Sequence, residues 1–264
     1  MRSDLTPRVA LFADSYFEVN GAAMTCRKLT SYARENNKTM ICVAGDSISS
    51  ETCEGSLTVF SIGRSSLSIS MDQGLAFDPL FLRHYRNVAA RITEFKPDVI
   101  HITGLNDISI LGAYIAHKNK IPLIASWHTN LHEFASRRIA NLFSSLPENL
   151  VQKVSRFVEA PILSGALLYY KMPKIILAPN AELQEVITSK TGRLSQPMFR
   201  GVDTDIFDPA KRSRDSELFT IGFVGRLQAE KNIQKLVEIE KALMADARKF
   251  QFLIVGDGTE RENL

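Results

Sequence analysis

Residues 221–238 read IGFVGRLQAEKNIQKLVE, and this stretch joins a short apolar segment to an amphipathic one through a turn with a single glycine. A second apolar segment, FQFLIV, follows it. Short apolar runs predict covered strands, and the longer periodic segment predicts a helix. The predicted elements are a strand, a turn, a helix and a second strand at Thr220–Val224, Gly225–Lys231, Asn232–Ala247 and Phe250–Val255. This order predicts a parallel βαβ unit.

The same alternation of short strands and longer helices fills the chain before this unit. Apolar runs predict strands at Val9–Ala13, Met40–Ala44, Leu57–Ile62, Val99–Thr103, Leu123–Trp127 and Ile175–Ala178, and amphipathic patterns predict helices at Ala22–Arg34 and Pro79–Phe95. Strands that are apolar throughout are typical of sheets covered on both faces. The predicted fold class is therefore α/β, with a doubly wound parallel sheet whose ligands bind beyond the carboxyl ends of the strands.

The pattern changes near residue 200, where a polar and charged stretch, Lys211–Glu217, separates two α/β segments. Such stretches are typical of linkers between domains. We therefore predict a complete N-terminal Rossmann-like domain at residues 1–200, an interdomain linker at 201–217 and the beginning of a second Rossmann-like domain at 218–264. The second segment has about fifty residues, which is few for an independent α/β domain.

The 264 residues carry 32 Lys and Arg against 29 Asp and Glu, and the formal net charge is +3. This weak positive balance does not favour nucleic acid as the main partner, and it leaves an anionic ligand or an anionic membrane surface open. The cysteines Cys26, Cys42 and Cys53 form no C-x-x-C pair, which fits a reducing compartment. The N-terminus is typical of a first strand rather than a signal peptide, and no apolar run approaches the ~18 residues of a membrane span. We expect a cytoplasmic protein, with peripheral contact to the inner face of the membrane as an open alternative.

Two cations lie in the turn of the βαβ unit. Arg226 and Lys231 come directly before the predicted helix start. Backbone N–H groups at a helix start favour anions, and two nearby cations suit a diphosphate, because Arg can contact two oxygens and Lys adds a point charge. The alternative is an ordinary surface loop with solvated charges. Gly256 and Gly258 flank Asp257 in a similar turn, which taken alone is equally typical of a simple glycine-rich turn.

Two further candidates follow strands of the N-terminal domain. His128 lies at the carboxyl end of the predicted strand Leu123–Trp127, where it can hydrogen-bond a sugar hydroxyl or move a proton. A helix-capping or buried structural histidine is the alternative. Gly21 lies in the sequence NGAA between the first strand and its helix. Its loop can turn backbone amides towards a ligand, or it can be an ordinary tight connection.

Several of these segments together resemble the retaining glycosyltransferase family 4, group 1 type, which has the GT-B fold of two Rossmann-like domains. VGRLQAEKN at 224–232 and VGDGTER at 255–261 resemble its donor-site motifs, and FRGVDTDIFDP at 199–209 resembles its interdomain segment. NGAA, DVIHITG and SWHTN occur in the order expected of its N-terminal domain. The resemblance covers nearly the whole chain.

The resemblance implies a hexosyltransferase that moves a mannose-type or glucose-type sugar from a nucleotide sugar, such as GDP-mannose or UDP-glucose, to a lipid or glycan hydroxyl with retention of configuration. It implies no metal and no cofactor, because the nucleotide sugar is a substrate. It also implies roles for single residues: a catalytic position near the transferred sugar for His128, donor diphosphate binding by Arg226, Lys231 and Gly21, and a nucleotide pocket formed by Gly225, Gly256, Asp257 and Gly258.

One part of the family pattern has no counterpart in this sequence. The family carries an E-x7-E carboxylate pair well after the VGDG turn, and this sequence ends at Leu264 before that region. Glu230 and Glu238 have the same spacing but precede the turn, so their match is a coincidence. We therefore expect a C-terminally incomplete member of the family. The alternative is an inactive fragment that acts only as an acceptor-binding domain.

Three competing assignments depend on weaker patterns. Asp203-Thr204-Asp205 is a D-x-D sequence that can chelate a divalent metal, but it lies in the interdomain segment rather than at a strand end. His128 and His132 have the i,i+4 spacing of zinc ligands, but no cysteine or third histidine lies near them in sequence. A Rossmann-type oxidoreductase requires G-x-G-x-x-G after the first strand, whereas residues 20–24 read NGAAM.

Overall fold

The computed structural model describes residues 6–71, 75–127, 164–212, 218–228, 231–245 and 249–264. The chain forms two compact units, Met1–Gly201 and Val202–Leu264. The acceptor and donor roles expected of the two predicted domains stay predictions.

The first unit alternates strands and helices, as the sequence pattern predicts. Its strands are β1 Val9–Ala13, β2 Met40–Asp46, β3 Ser50–Glu54, β4 Leu57–Gly63, β5 Ile69–Ser70, β6 Ala76–Phe77, β7 Val99–Ile102, β8 Leu123–Ser126, β9 Ile175–Ala178 and β10 Leu194–Pro197. Its helices are α1 Gly21–Glu35, α2 Tyr85–Phe95, α3 Asp107–Lys118 and α4 Ala181–Thr191; a 3₁₀ turn, Phe81–His84, precedes α2 and residues 164–169 are also helical. All the strands predicted for this unit are confirmed, with small differences at their ends.

Eight strands form one sheet in the order β10-β9-β8-β7-β1-β2-β4-β3. All neighbouring pairs are parallel except β3 with β4. In the middle of the sheet, Val9 of β1 lies beside Met40 of β2 on one side and beside Val99 of β7 on the other. The chain therefore passes from β1 to β2 on one side of the sheet and from β7 to β8 on the other side. This is the topological switch point, where doubly wound sheets form a crevice beyond the carboxyl ends of their strands.

Both faces of the sheet are covered, because alternate residues of a strand point to opposite faces. Phe12 of β1 belongs to the larger core cluster, together with Ile102 of β7 and Leu111 of α3. Leu11, the preceding residue, belongs to a smaller cluster with Cys26 of α1. Burying a large apolar side chain of this kind contributes about 1.5–3 kcal/mol. The apolar residues of these strands thus face helices on both sides of the sheet, and the unit has three layers: helices, sheet and helices.

β3 forms the outer edge of the sheet, and the sequence pattern does not predict it. Its residues, SETCE, are all exposed, so they lack the apolar alternation of a half-buried strand. Two ion pairs connect it to helices: Arg34 of α1 contacts Glu54 at 2.7 Å, and Arg91 of α2 contacts Glu51. Charged side chains on an edge strand also oppose pairing with another chain.

The second unit contains a parallel strand pair and a helix among its described residues. β11 (Phe219–Val224) pairs with β12 (Phe250–Val255), and α5 (Gln234–Ala245) lies between them in sequence. This arrangement confirms the predicted βαβ unit. The predicted helix start at Asn232 is wrong, because Asn232 has a φ of +50°, which an α-helix does not allow. The described part of this unit also contains 3₁₀ turns at Pro209–Lys211 and Arg261–Asn263.

No helix in the described part of the chain is both long enough and apolar enough to cross a membrane.

Candidate functional site

The carboxyl ends of β1 and β7 meet at the switch point of the first unit. The loop after β1 leads to α1, and the loop after β7 leads to α3. Thr103, directly after β7, donates its backbone N–H to the Phe12 carbonyl at 3.2 Å. Its Oγ1 accepts from the Asp14 backbone N–H at 3.0 Å. The two loops are thus joined where they leave the sheet.

Asp14 is a buried carboxylate at this junction, and the sequence analysis did not select it. Its two oxygens accept hydrogen bonds from the backbone N–H groups of Asn106 at 3.0 Å and Ser109 at 2.8 Å, at the beginning of α3. Burial raises the pKa of Asp14 to about 7, and these hydrogen bonds limit the rise. The signal in the sequence was a charged residue directly after an apolar strand, where doubly wound sheets keep functional groups.

Polar side chains hold the loop between β1 and α1. Asn20 caps α1, because its Oδ1 accepts from the Ala23 backbone N–H at 2.8 Å. The Asn20 Nδ2 group donates to Ser15 Oγ at 2.7 Å, and Ser15 Oγ donates to Glu18 Oε2 at 3.0 Å. Arg64, directly after β4, lies 3.8 Å from the Glu18 carboxylate. The loop therefore has a defined shape up to the first residue of α1.

Gly21 is that first residue, and the side chain of Arg200 lies against it. The Arg200 guanidinium occupies the space that a Cβ on Gly21 would need. Lys28 of α1 donates to the Gly201 carbonyl at 2.5 Å. The first turn of α1 carries no acidic residue, so the positive end of the helix dipole and the guanidinium charge add together. This charge pattern suits an anion, and the diphosphate-binding role of Gly21 stays a prediction. The sequence analysis included Arg200 only as part of the interdomain motif.

His128 lies outside the described residues, as does His132, so the catalytic role and the zinc alternative stay untested. Trp127, the preceding residue, is buried at the end of β8, and its backbone N–H donates to the Leu177 carbonyl at 2.8 Å. The Trp127 ring packs against Tyr170, with the ring centroids 4.5 Å apart. The chain therefore approaches residue 128 from the carboxyl end of a central strand.

The two glycine-containing turns of the second unit lie side by side. Hydrogen bonds continue the β11–β12 ladder past the ends of both strands. The Gly225 N–H donates to the Val255 carbonyl at 3.0 Å, and the Leu227 N–H donates to the Asp257 carbonyl at 2.9 Å. The turn predicted to bind the diphosphate and the turn predicted to form the nucleotide pocket are therefore one surface at the carboxyl end of this sheet.

We call these segments, Gly225–Leu227 and Gly256–Gly258, the paired turns. Contact between their backbones explains why glycine occupies positions 256 and 258. A Cβ on Gly256 would overlap the Gly225 carbonyl oxygen, and a Cβ on Gly258 would overlap the Leu227 carbonyl oxygen. Gly225 differs, because among the described residues a Cβ there would meet the Phe223 ring alone, at an ordinary 3.5 Å. The fold therefore requires glycine at 256 and 258, and it does not require glycine at 225.

Charged side chains lie on or next to the paired turns. Arg226 is half-buried, and Lys231 is exposed, with its backbone N–H donating to the Gln228 carbonyl at 2.9 Å. The Asp257 carboxylate accepts from the Gly258 backbone N–H at 2.9 Å and lies 3.6 Å from an arginine, Arg261. The fold thus brings Arg226 together with the predicted nucleotide-pocket residues. The predicted residues Gly21 and His128 belong to the first unit.

Asp203, the first carboxylate of the D-x-D sequence, stabilises a turn. Its Oδ1 atom accepts from the backbone N–H groups of Asp205 at 3.0 Å and Ile206 at 3.1 Å. Within the described ranges, no three His, Cys, Asp or Glu side chains are grouped so that they could hold a metal ion. The turn accounts for the D-x-D sequence by local structure, and the metal-independent reaction stays a prediction.

A comparison of the sequence with models of protein families identifies the family. Residues 19–205 match the model of Glycosyltransferase Family 4. The chain belongs to this family. The match begins at residue 19, so it includes Gly21, the residues at 106 and 109 that contact Asp14, and the segment with Arg200, whereas Asp14 itself precedes it.

Two curated relatives match this family-4 chain over part of their length. A GDP-mannose-dependent alpha-mannosyltransferase of Corynebacterium glutamicum is 25% identical over 97% of this chain and 59% of its own length. A sulfoquinovosyl transferase of Arabidopsis thaliana is 25% identical over 70% of this chain and 35% of its own length. The chain therefore spans less than two thirds of each of these relatives.

A solved structure supports the fold class. Sucrose-phosphate synthase from Thermosynechococcus elongatus matches 95% of this chain and 62% of its own chain, with a TM-score of 0.61 and 12% identity. At this identity the likeness concerns the fold alone. The predicted GT-B fold class is confirmed.

We expect Gly256→Ala to break the pairing of the two turns, because its Cβ would overlap a backbone oxygen. Overpacking of this kind costs about 1–3 kcal/mol. Amide hydrogen exchange measures the effect directly: the Gly225 and Leu227 amides should exchange faster, since their hydrogen bonds cross between the turns.

Gly222→Ala is the matched control for this experiment. Gly222 lies in β11, and, its chain neighbours apart, no atom of the other described residues lies within 4 Å of the place that a Cβ there would take. Its substitution should leave exchange at the paired turns unchanged. Equal exchange in the wild type and the Gly256→Ala protein would contradict the pairing.

The stability of the first unit should fall as the pH rises from about 4 to about 7. The Asp14 carboxyl has an ordinary pKa of 3.8 and a pKa of about 7 in the fold. A group whose pKa is raised by folding contributes its full stabilisation below its unfolded-state pKa and none above its folded-state pKa. Above the folded-state pKa the native protein holds a buried charge, which water solvates better in the unfolded chain. We expect the free energy of unfolding to fall by on the order of 3 kcal/mol over this range.

Denaturant unfolding at several pH values, followed by the fluorescence of Trp127, measures this change. Trp127 is the single tryptophan of the chain, and it is buried in the first unit. Asp14→Asn removes the titrating group and should flatten the pH dependence. The same slope in both proteins would show that Asp14 does not cause it.

Proposed function

We propose that this protein transfers a hexose from a nucleotide sugar to a lipid or glycan hydroxyl, with retention of configuration. The donor diphosphate would bind at the paired turns. The observation that carries the proposal is the backbone pairing of the two turns beyond the β11–β12 ladder, which holds Arg226 beside the predicted nucleotide pocket. Membership in Glycosyltransferase Family 4 supports the same class of reaction.

The paired turns and the residues that follow Leu227 supply groups that suit a diphosphate. Arg226 offers several N–H donors in a planar group, and Lys231 offers a compact charge. α5 begins at Gln234, soon after Lys231. A phosphate near this helix start is favoured by the positive end of the helix dipole.

Gly225 adds an independent argument for a ligand at this surface. The side chains in the described part of this unit leave room for a Cβ at this position. A glycine that the fold does not require is expected where a ligand lies directly against the backbone. We therefore propose that the donor nucleotide lies against Gly225, with Gly256, Asp257 and Gly258 forming the adjacent wall of the pocket.

The proposed reaction breaks the bond between the anomeric carbon and the diphosphate oxygen. The acceptor hydroxyl oxygen bonds to the same carbon from the same face, and its proton passes to the leaving phosphate oxygen. Negative charge grows on the diphosphate as this bond breaks, and Arg226 and Lys231 stabilise that charge. His128 is proposed to hydrogen-bond the transferred sugar, and Gly21 is proposed to bind the diphosphate. No metal ion takes part in the proposal.

The relatives differ in the sugar for which they are named, so family membership alone does not select the donor. The Corynebacterium glutamicum protein is named for GDP-mannose, and it matches 97% of this chain, against 70% for the sulfoquinovosyl transferase. We therefore propose GDP-mannose as the first donor to test. The proposed location is the cytoplasm, with a lipid acceptor reached at the inner face of the membrane.

We expect Arg226→Ala and Lys231→Ala to lower kcat/KM for the donor by about 10²–10³-fold in the full-length protein, because each removes a charge from the leaving diphosphate. Release of GDP from GDP-mannose in the presence of an acceptor measures the effect. Lys241→Ala is the matched control, since Lys241 is an exposed cation of the same unit on α5. Unchanged donor turnover in the Arg226→Ala and Lys231→Ala proteins would rule out the assignment.

We also expect transfer to continue after treatment with a chelator. Cationic side chains, rather than a metal ion, stabilise the diphosphate in this proposal. Initial rates are to be measured with excess EDTA and again after addition of magnesium or manganese. Loss of activity with EDTA and recovery with one of these metals would contradict the proposal.

A further inference from the structure

We propose that Asp14 is a positioning residue for glycosyl transfer, because its carboxylate and its loop connect the N-termini of α3 and α1 at the switch point of the first unit. The inference rests on the proposed function in one respect: Gly21, the first residue of α1, must contact the donor. Asp14 itself is buried and is not proposed to touch a substrate.

On the α3 side, Asp14 replaces the usual helix cap. Asn106 occupies the N-cap position of α3, but its side chain makes no capping hydrogen bond and instead donates to the Ala76 carbonyl at 2.8 Å. The Asp14 carboxylate accepts from the backbone N–H groups of Asn106 and Ser109 in its place. A cap satisfies N–H groups that have no partner in the helix. For this contact, α3 depends on Asp14, a residue that follows strand β1 and is distant from α3 in sequence.

The loop between β7 and α3 closes around this carboxylate. A Cβ on Gly104 would overlap an Asp14 carboxylate oxygen, so the backbone of the loop lies directly against it. Ser109 Oγ accepts from the backbone N–H groups of Thr103 at 3.2 Å and Gly104 at 3.1 Å. Any change in the size or charge of the Asp14 side chain must therefore move the loop or leave buried donors without partners.

On the α1 side, a chain of contacts leads from Asp14 to the helix. Ser15, the next residue, accepts from Asn20 Nδ2 at 2.7 Å. Asn20 is the N-cap of α1 and holds the Ala23 backbone N–H. A displacement of Asp14 is therefore passed through Ser15 and Asn20 to Gly21. α1 and α3 pack in different core clusters. A residue at the carboxyl ends of β1 and β7 can therefore hold the N-termini of both helices in place.

The first test is amide hydrogen exchange on the full-length protein with Asp14→Ala and Asp14→Asn. Alanine removes both acceptor oxygens, whereas asparagine keeps one. We expect exchange to rise by at least about tenfold in residues 106–110 and also in residues 20–25 for Asp14→Ala, since tenfold corresponds to about 1.4 kcal/mol of lost protection. Asp14→Asn should give a smaller rise in the same two segments.

Asp98→Asn is the matched control for the exchange measurement. Asp98 precedes β7 at the opposite edge of the sheet, and its carboxylate accepts from the Arg8 backbone N–H at 2.8 Å. Its substitution should leave both segments at the wild-type rate. Faster exchange in 106–110 without any change in 20–25, for both Asp14 variants, would overturn the proposal, because Asp14 would then cap α3 alone.

The second test separates positioning from stability. At a temperature well below the unfolding transition of each protein, we expect kcat/KM for the donor to fall by about tenfold in Asp14→Ala and by less in Asp14→Asn. Kinetic constants equal to the wild type in both variants would overturn the positioning role, even if their melting temperatures are lower. If Asp14→Ala does not fold, Asp14→Asn decides the outcome. A wild-type protein that transfers no sugar would instead contradict the proposed function, and the exchange experiment would still decide whether Asp14 couples the two helices.

Discussion

Parallel pairing of β1 with β2 on one side and with β7 on the other is the constraint on which the first unit depends. Because both pairs are parallel, the strands end at the same edge of the sheet. The helices that follow them must begin at that edge, so the N-termini of α1 and α3 come together although they are distant in sequence. The crevice of the switch point follows from this arrangement rather than from any single side chain.

The two helix N-termini at this edge have opposite electrostatic environments. The positive end of α3 faces the Asp14 carboxylate, so a group of the protein already satisfies it. The positive end of α1 faces the Arg200 guanidinium, and its first turn has no acidic residue. Asp14 therefore places a carboxylate at the start of α3, whereas Arg200 adds a positive charge at the start of α1, and this difference supports the proposal of an anion at Gly21 rather than at α3.

The second unit uses the same geometry on a smaller scale. Its parallel strand pair ends in two turns that continue the hydrogen-bond ladder, and close backbone contact excludes side chains at Gly256 and Gly258. The pairing gives a loop surface a fixed shape, and a phosphate site needs this because several donors must converge on one group. In both units, the groups assigned to the donor lie beyond the carboxyl ends of parallel strands.

The sequence by itself determined the α/β fold class, the main strands and the positions of the turns that carry Gly21, Arg226 and Gly256. Buried strands such as Val9–Ala13 are apolar throughout, and this property is local enough to be visible without a structure. Only the tertiary structure decided that SETCE forms a strand, because β4 and two arginines stabilise it and its own polarity does not. It also decided that the Asp14 carboxylate accepts a hydrogen bond from the backbone N–H of Asn106, although these two residues are 92 positions apart in sequence. Such a pair depends on the strand order, and strand order depends on how whole helices cover the sheet, which no local pattern contains.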